Sequence, residues 1–417
     1  MNRFTLLLLV SLLAINNLFA QHKCATMTQY QKRARQDPSF EKRMIAAENL
    51  IQNLSSNSTQ SVNNTITIPV VVHVLYNNST QNISDQQIYS QLQGLNEDFR
   101  LLNADSLTPS HPFWQYTADT EIEFCLASVD PNGQATTGIT RTQTSVASWV
   151  DADLGNIFSS QNGGKDNWDP TKYLNIYVVS LEGTTLGFAS FPTELSTEPE
   201  YDGVVIRYEA FGSIGTAGSG GFDANDLGRT ATHEVGHWLF LRHIWGDAAC
   251  GDDFINDTPV AETENYNCPT FPHNANNQCN SDANGEMYMN YMDYVDDGCM
   301  NMFTFGQKTR MRNAIATYRS GLLSSNVCGT STGLNDKEES FKFEIYPNPA
   351  NLNLTIEFDN NETKKIVIMN TIGAEVYVNN NCTESKINLN LDNVKSGLYF
   401  VTVSTTKGTI VKKLIIK

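Results

Sequence analysis

Residues 232–243 read Thr232-His233-Glu234-Val235-Gly236-His237-Trp238-Leu239-Phe240-Leu241-Arg242-His243. His233 and His237 are four residues apart. On a helix that spacing stacks two imidazoles on one face, one turn apart, where both reach a single zinc ion. Glu234 then stands beside the metal-held water, and Gly228 to Thr232 supply a helix start. His243 follows His237 by six residues, too far round to share that face, so the chain must turn sharply and return. The product is a three-histidine site with an open fourth position, as a catalytic zinc requires. A core helix that holds two histidines by chance is the plainer reading. The third histidine and the motifs elsewhere weigh against it.

Upstream, residues 66–76 (ITIPVVVHVLY) form a β-branched run that reads as a buried strand. The next segment, ISDQQIYSQLQGLNEDFRLLN, reads as a helix, with Ser84 as N-cap and Ile88, Leu92, Leu95 and Phe99 on one face. EIEFCLASVD, YLNIYVVSL and GVVIRYEAF read as further strands. Helices between strands predict a mixed α/β order. Downstream, residues 250–299 are rich in turns and hold four of the eight cysteines, and a helix is predicted to start near Gln307. Four clustered cysteines permit three pairings. Cys125, in mid-strand, reads as a buried thiol.

A second motif, Asn290-Tyr291-Met292-Asp293-Tyr294, completes a pattern. The extended histidine stretch followed by a Met-containing turn resembles the metzincin signature. THEVGHWL, LRHIWGD and NYMDY are similar to the pappalysin branch, particularly its cytophagalysin- and ulilysin-like members. The similarity runs from about Ile68 to the helix near Arg312. It implies an α/β (α+β) metzincin catalytic domain, with a mixed twisted sheet and an active-site helix. It implies zinc on His233, His237 and His243, Glu234 as general base and acid, Met292 as the floor beneath the metal, and Tyr294 as an oxyanion stabiliser. The implied reaction is peptide-bond hydrolysis: zinc acidifies a water, Glu234 takes its proton, and the leaving amine receives it. Phe240 departs from the pattern, because relatives carry glycine where the chain leaves the helix with positive φ. A bulky residue there is strained by about 1–2 kcal/mol, or the turn is built differently.

The resemblance carries further expectations. Cys24, early in the chain, is implied to occupy the open zinc position in a latent precursor, as a thiolate cysteine switch. A lipoprotein cysteine is the rival reading, but LFAQHKC lacks the small-residue box before it. Calcium is implied in the loop after the histidines, with Asp253, Asp257 and Thr258 as candidates. The implied disulfides are Cys250–Cys279 and Cys268–Cys299. Some relatives cleave next to basic residues through an acidic pocket, and Asn277 and Asp282 are candidates for its wall.

The two ends of the chain set its destination. Residues 1–20, MNRFTLLLLVSLLAINNLFA, have a basic start, a short apolar run and a small final residue, and read as a secretory signal peptide. No later stretch reads as a membrane span. Residues 21–64 read as a propeptide, mostly helical, that decays into a Ser/Asn/Thr linker. The catalytic domain is assigned to 65–325 and a second linker to 326–340. From 341 to 417, short alternating runs separated by Asn, Gly and Lys turns read as a small all-β sandwich. FEIYPNPA, GLYFVTV and the closing VKKLIIK resemble the sorting domain of the type IX secretion system. That implies the type IX machinery as a partner, with export through the periplasm to the cell surface or medium.

Composition agrees. A net charge of −17 argues against a nucleic-acid partner bound through phosphates, and 40% hydrophobic residues exclude wholesale disorder. The reading is a secreted, latent zinc endopeptidase acting on proteins or peptides. Its rival is a cell-surface binding protein with a structural zinc and an adhesive C-terminal sandwich. Glu234 argues for the first, since a structural site has no need of a base.

Overall fold

The computed structural model describes residues 23–57, 65–274, 279, 282–328, 343–358, 363–370, 375–392, 394–405 and 408–417. The expected leader, 1–20, lies outside them. The described chain opens with β1 (Lys23–Cys24), α1 (Thr26–Gln36) and α2 (Pro38–Asn57). Pro38 starts the second helix, where its missing N–H costs nothing. The body then runs β2 (Ile66–Tyr76), α3 (Asp85–Phe99), β3 (Ile122–Leu126), β4 (Ile139–Gln143), β5 (Leu174–Val179), β6 (Thr185–Ala189), β7 (Val204–Arg207), α4 (Arg229–Trp238) and α5 (Phe305–Tyr318).

These strands form one mixed sheet in the order β1-β6-β7-β5-β2-β3, with β4 also on β2. β2 is central and long enough to serve two neighbours. Ile66–Val70 pairs with β3 and Val72–Tyr76 with β4, both parallel. Its continuous apolar run matches burial on both faces. Ser84 caps α3 by accepting from the Gln87 N–H, and Ile88, Leu92, Leu95 and Phe99 enter one core with Val70, Val72, Val74 and Trp238 of α4. Trp149, Leu154, Ile157 and Phe158 join Leu75, Tyr177 and Val205 in a separate core cluster. β6 runs antiparallel to β7, and β1 adds to it in parallel. Without β1, β6 would be the edge of the sheet.

Three disulfides brace the body: Cys250–Cys279, Cys268–Cys299 and Cys125–Cys328. The last corrects the reading of Cys125 as a free thiol. A bridge across 203 residues leaves no local trace in sequence. It also moves the body's boundary past residue 325, because Val327 accepts from the Ser128 N–H and Cys328 is tied to β3.

The C-terminal region is all-β. β8 (Phe343–Tyr346), β9 (Asn353–Phe358) and β12 (Lys386–Asn390) form one antiparallel sheet. β10 (Lys364–Asn370), β11 (Glu375–Cys382), β13 (Gly397–Thr405) and β14 (Gly408–Ile416) form the other. Leu354, Ile356, Ile366, Ile368, Val401 and Leu414 close the core between them. Among the described residues no helix is long and apolar enough to cross a membrane.

Candidate metal centre

α4 carries the first two histidines, and its start is capped from a distance. Gly228 precedes it at φ 77°, a conformation glycine takes without strain. The amides of Leu227 and Arg229, which have no partner within the helix, donate to Asp297 Oδ2 at 2.9 and 3.1 Å. An acid there also opposes the positive end of the helix dipole.

The end of α4 sets the third histidine. Leu241 N–H donates to Gly236 O at 2.9 Å and Phe240 N–H to His237 O at 2.8 Å, the two bonds of a Schellman turn. Phe240 occupies its left-handed position at φ 75°. Its ring is held by Phe40, Met44, Ala47, Ile51, Phe191 and Ala314, and its carbonyl accepts from Arg310 Nε at 2.7 Å. The surroundings therefore hold the conformation. The chain then returns, and Ile244 N–H donates to Met292 O at 3.3 Å.

The three imidazoles converge. His237 Nε2 lies 3.1 Å from His233 Nε2 and 3.0 Å from His243 Nε2, and the remaining pair is 3.3 Å apart. Each opposite nitrogen meets an acceptor: Tyr291 O for His233, Leu241 O for His237 and the Asp247 carboxylate for His243. Carbonyl and carboxylate oxygens only accept, so the proton of each ring sits on Nδ1 and every Nε2 presents a lone pair. Three lone pairs at this distance repel unless a cation lies among them. A tetrahedral zinc with bonds of about 2.0–2.1 Å sets ligand separations of roughly 3.3 Å, so the donor set fits that ion. Burial drives His233 down to about 3, with the adjacent His243 adding to it, and holds His237 well below its ordinary value.

Cys24 Sγ completes the only group of three or more His, Cys, Asp or Glu side chains, among the described residues, arranged to hold a metal; its ligand atoms all lie within 4.8 Å. Sγ also lies 3.4 Å from Glu234 Oε2, which accepts from Thr26 Oγ1 at 2.9 Å. Glu234 is fully buried, its Oε1 has no partner, and burial pushes its carboxyl up to about 8. β6 comes close: a Cβ on Gly187 would meet Val205 O at 2.6 Å and Glu234 Cγ at 3.2 Å. Met292 lies under α4, where a Cβ on Gly236 would strike its sulfur at 2.5 Å. The Tyr294 ring is 5.6 Å from that of His233 and 4.9 Å from that of His243. Its hydroxyl reaches Cys24 O at 3.5 Å.

A cavity of about 640 Å³ opens beside His233 and Glu234, lined among others by Thr230, Tyr294, Asp293 and Asp297. Asp297 Oδ1 is buried without a partner, and burial raises this carboxyl to about 7. Asn277 lies outside the described residues, and Asp282 bonds the Asn284 N–H in a turn and does not line the cavity. Of the calcium candidates, Asp253 and Thr258 are bonded together at 2.9 Å, whereas Asp257 accepts from Thr304 and the Gly306 N–H at the start of α5. Several parts of the site were not read from sequence. Asp247, four residues past His243, was visible as a spacing; Thr26 and Asp297 had no local signal.

The model of the peptidase family described as pregnancy-associated plasma protein-A matches residues 158–316, and that of a secretion system C-terminal sorting domain matches 344–417. An extracellular metalloprotease of Colletotrichum graminicola is 41% identical over 152 residues, 35% of this chain and 50% of its own. One from Pyricularia oryzae is 30% identical over 262 residues, 61% of this chain and 77% of its own. The chain thus spans about half the length of the first curated relatives it matches. Among solved structures, a Tannerella forsythia promirolysin mutant is 48% identical, covering 72% of this chain and 96% of its own, with a TM-score of 0.65. Mature mirolysin from the same organism, in complex with a cleaved peptide, is 51% identical over 62% of this chain and 96% of its own, with a TM-score of 0.59.

Proposed function

The chain belongs to the pappalysin family of metallopeptidases and carries a secretion sorting domain, and from that premise we propose that it is a secreted zinc endopeptidase made in a latent form. The observation that carries the reading is the convergence of three Nε2 lone pairs beside the buried Glu234 side chain, whose Oε1 has no partner. His233, His237 and His243 would hold the zinc, and Cys24 would supply a fourth ligand for as long as residues 21–64 stay attached. A zinc ion in this setting lowers the pKa of a coordinated water towards neutrality and draws charge from a carbonyl.

The chain's own groups do the rest. Glu234 Oε1, free of partners, takes the proton of the attacking water and hands it to the leaving amine. Tyr294 donates to the carbonyl oxygen as it turns negative. Met292 supports α4 from below. β6, freed of β1, offers its edge to the substrate backbone as an added strand. The unpartnered oxygen of Asp297 suits a basic side chain in the neighbouring cavity. A purely structural zinc is disfavoured, because one ligand comes from a segment at the edge of the fold and a base lies beside the metal.

The test incubates the full chain with zinc, beside Glu234→Ala, and follows its own mass and casein. Wild type is expected to trim its N-terminus past Cys24 and degrade casein. The variant is expected to keep one zinc per chain and lose at least a thousandfold in turnover. A chelator should silence the wild type and added zinc restore it. Zinc bound one to one with no cleavage by wild type, even as Cys24→Ser, would overturn the proposal.

A further inference from the structure

α1 does more than follow Cys24. Thr26, at its start, bonds Glu234 and accepts from the Ala189 N–H at 2.9 Å, which fixes the helix to the end of β6. Seven residues on, Arg33 Nη1 lies 2.7 Å from Glu194 and 2.9 Å from Glu198, with its guanidinium carbon 5.4 Å from the Tyr201 ring. Glu194 is deeply buried, with 5% of its side chain exposed. Burial pushes its carboxyl up to about 7. The nearby acid Asp202 has its own cation, since Arg319 holds both its oxygens at 2.8 and 2.9 Å. Glu194 therefore relies on a cation from a segment that the latent-form reading removes.

The seat adjoins the end of β6. Phe188, Ala189, Ser190 and Phe191, at and just beyond the end of β6, line the same cavity as Thr26, Glu194 and Tyr201. The cavity beside Asp297 touches β6 further back, at Leu186, and is itself lined by Cys24 and Glu234, the latter bonded to Thr26 of the first cavity. Seven residues of helix rise about 10 Å. An extended peptide covers that distance in about three residues.

We propose that Glu194, Glu198 and Tyr201 form a second specificity subsite, which takes an Arg or Lys side chain of the substrate about three residues from the bond that is cut, on the Ala189 side of the metal centre. Arg33 fills this subsite in the latent chain and is its built-in occupant. The inference rests on the peptidase reading above, and goes beyond it by fixing a second basic position in the substrate. Two carboxylates and a ring recognise a guanidinium or ammonium through charge-assisted hydrogen bonds and the ring's negative face.

The experiment uses the full chain, freed of its N-terminal segment by added trypsin. Peptides that differ only by Arg or Gln are compared at each position from two to five residues on either side of the cut. Wild type should prefer Arg by about tenfold in kcat/KM at one position on one side, mainly through KM. Glu194→Gln and, separately, Glu198→Gln should bring that ratio to within about twofold. Glu198 sits at the rim, so its variant keeps the test open if Glu194→Gln does not fold. The same Arg and Gln peptides are titrated calorimetrically into Glu234→Ala, where the affinity ratio should match and should vanish in the double variants. A ratio unchanged by either substitution, or no Arg preference in binding, would overturn the subsite. Binding with that preference but no cleavage by wild type would sink the peptidase reading alone.

Discussion

The floor of the metal centre and the segment that covers it are held by different kinds of bond. The floor is closed on itself. Asp98, at the end of α3, accepts from Thr232 Oγ1 of α4 at 2.7 Å and from Tyr291 OH beside Met292 at 2.8 Å. His233 bonds Tyr291 O, Asp297 caps α4, and Trp238 is fully buried. The cover is held by bonds that cross to the body. Glu48 of α2 meets Arg310 of α5, Arg33 meets Glu194, and Phe40, Met44 and Ile51 rest against Phe240. A floor of internal bonds survives the loss of its cover. A cover of crossing charges would leave unmatched ions behind if it were removed.

The largest expected effect breaks the cover alone. Glu48 is buried and receives both Arg310 and Arg242, so Glu48→Ala leaves Arg310 as an unpaired buried cation. Breaking such a pair costs about 3–5 kcal/mol. Hydrogen exchange in α1 and α2 should then quicken by at least a hundredfold, while the amides of α4 keep their protection. Equal loss in both regions would show that floor and cover are one unit and end the distinction.

A smaller effect belongs to the floor. Burial, ahead of the opposing pull of Arg229, pushes the Asp98 carboxyl from 3.8 up to about 6. Between those values the folded chain holds a proton that the unfolded chain has released. Stability from this group is therefore full below pH 4 and is lost as pH rises through 6, by about 3 kcal/mol at most. Urea midpoints of wild type minus those of Asp98→Asn, taken from pH 4 to 7 with zinc present, should fall across that window and stay level above it. A flat difference would mean that Asp98 is charged in the folded state and paired with Arg229, whose Nε lies 3.5 Å away.

How much of this was legible follows from distance along the chain. The histidines, Met292, the run of β2 and the alternating strands of the C-terminal region are local patterns, readable as spacing. Phe240 was legible as a conflict: a bulky residue where a left-handed turn is needed. Its resolution was not, because the ring is held by α2, some two hundred residues earlier. The same limit hid the Cys125–Cys328 bridge, the Asp297 cap and the Glu194 seat. Each joins segments that only the sheet and its crossovers bring together.

Phe240 is also where floor and cover touch, so one substitution there should act differently in the two states. Phe240→Gly relieves the left-handed strain, worth about 1–2 kcal/mol. In the full chain it also empties a packed site, a loss of about 3–5 kcal/mol for a buried aromatic ring. The net cost there is about 2 kcal/mol. After the N-terminal segment is removed, Phe40, Met44 and Ile51 are gone, and the ring has lost most of its cluster. The relief and the remaining loss then nearly cancel. Thermal unfolding of the full chain should therefore drop by several degrees in Phe240→Gly, while that of the trypsin-matured protein stays within about one degree of wild type. Equal drops in both forms would place the ring in the floor, and the departure from glycine would then have nothing to do with the cover. A drop confined to the full chain would make Phe240 a docking post, whose strain is tolerated for as long as α2 lies against it.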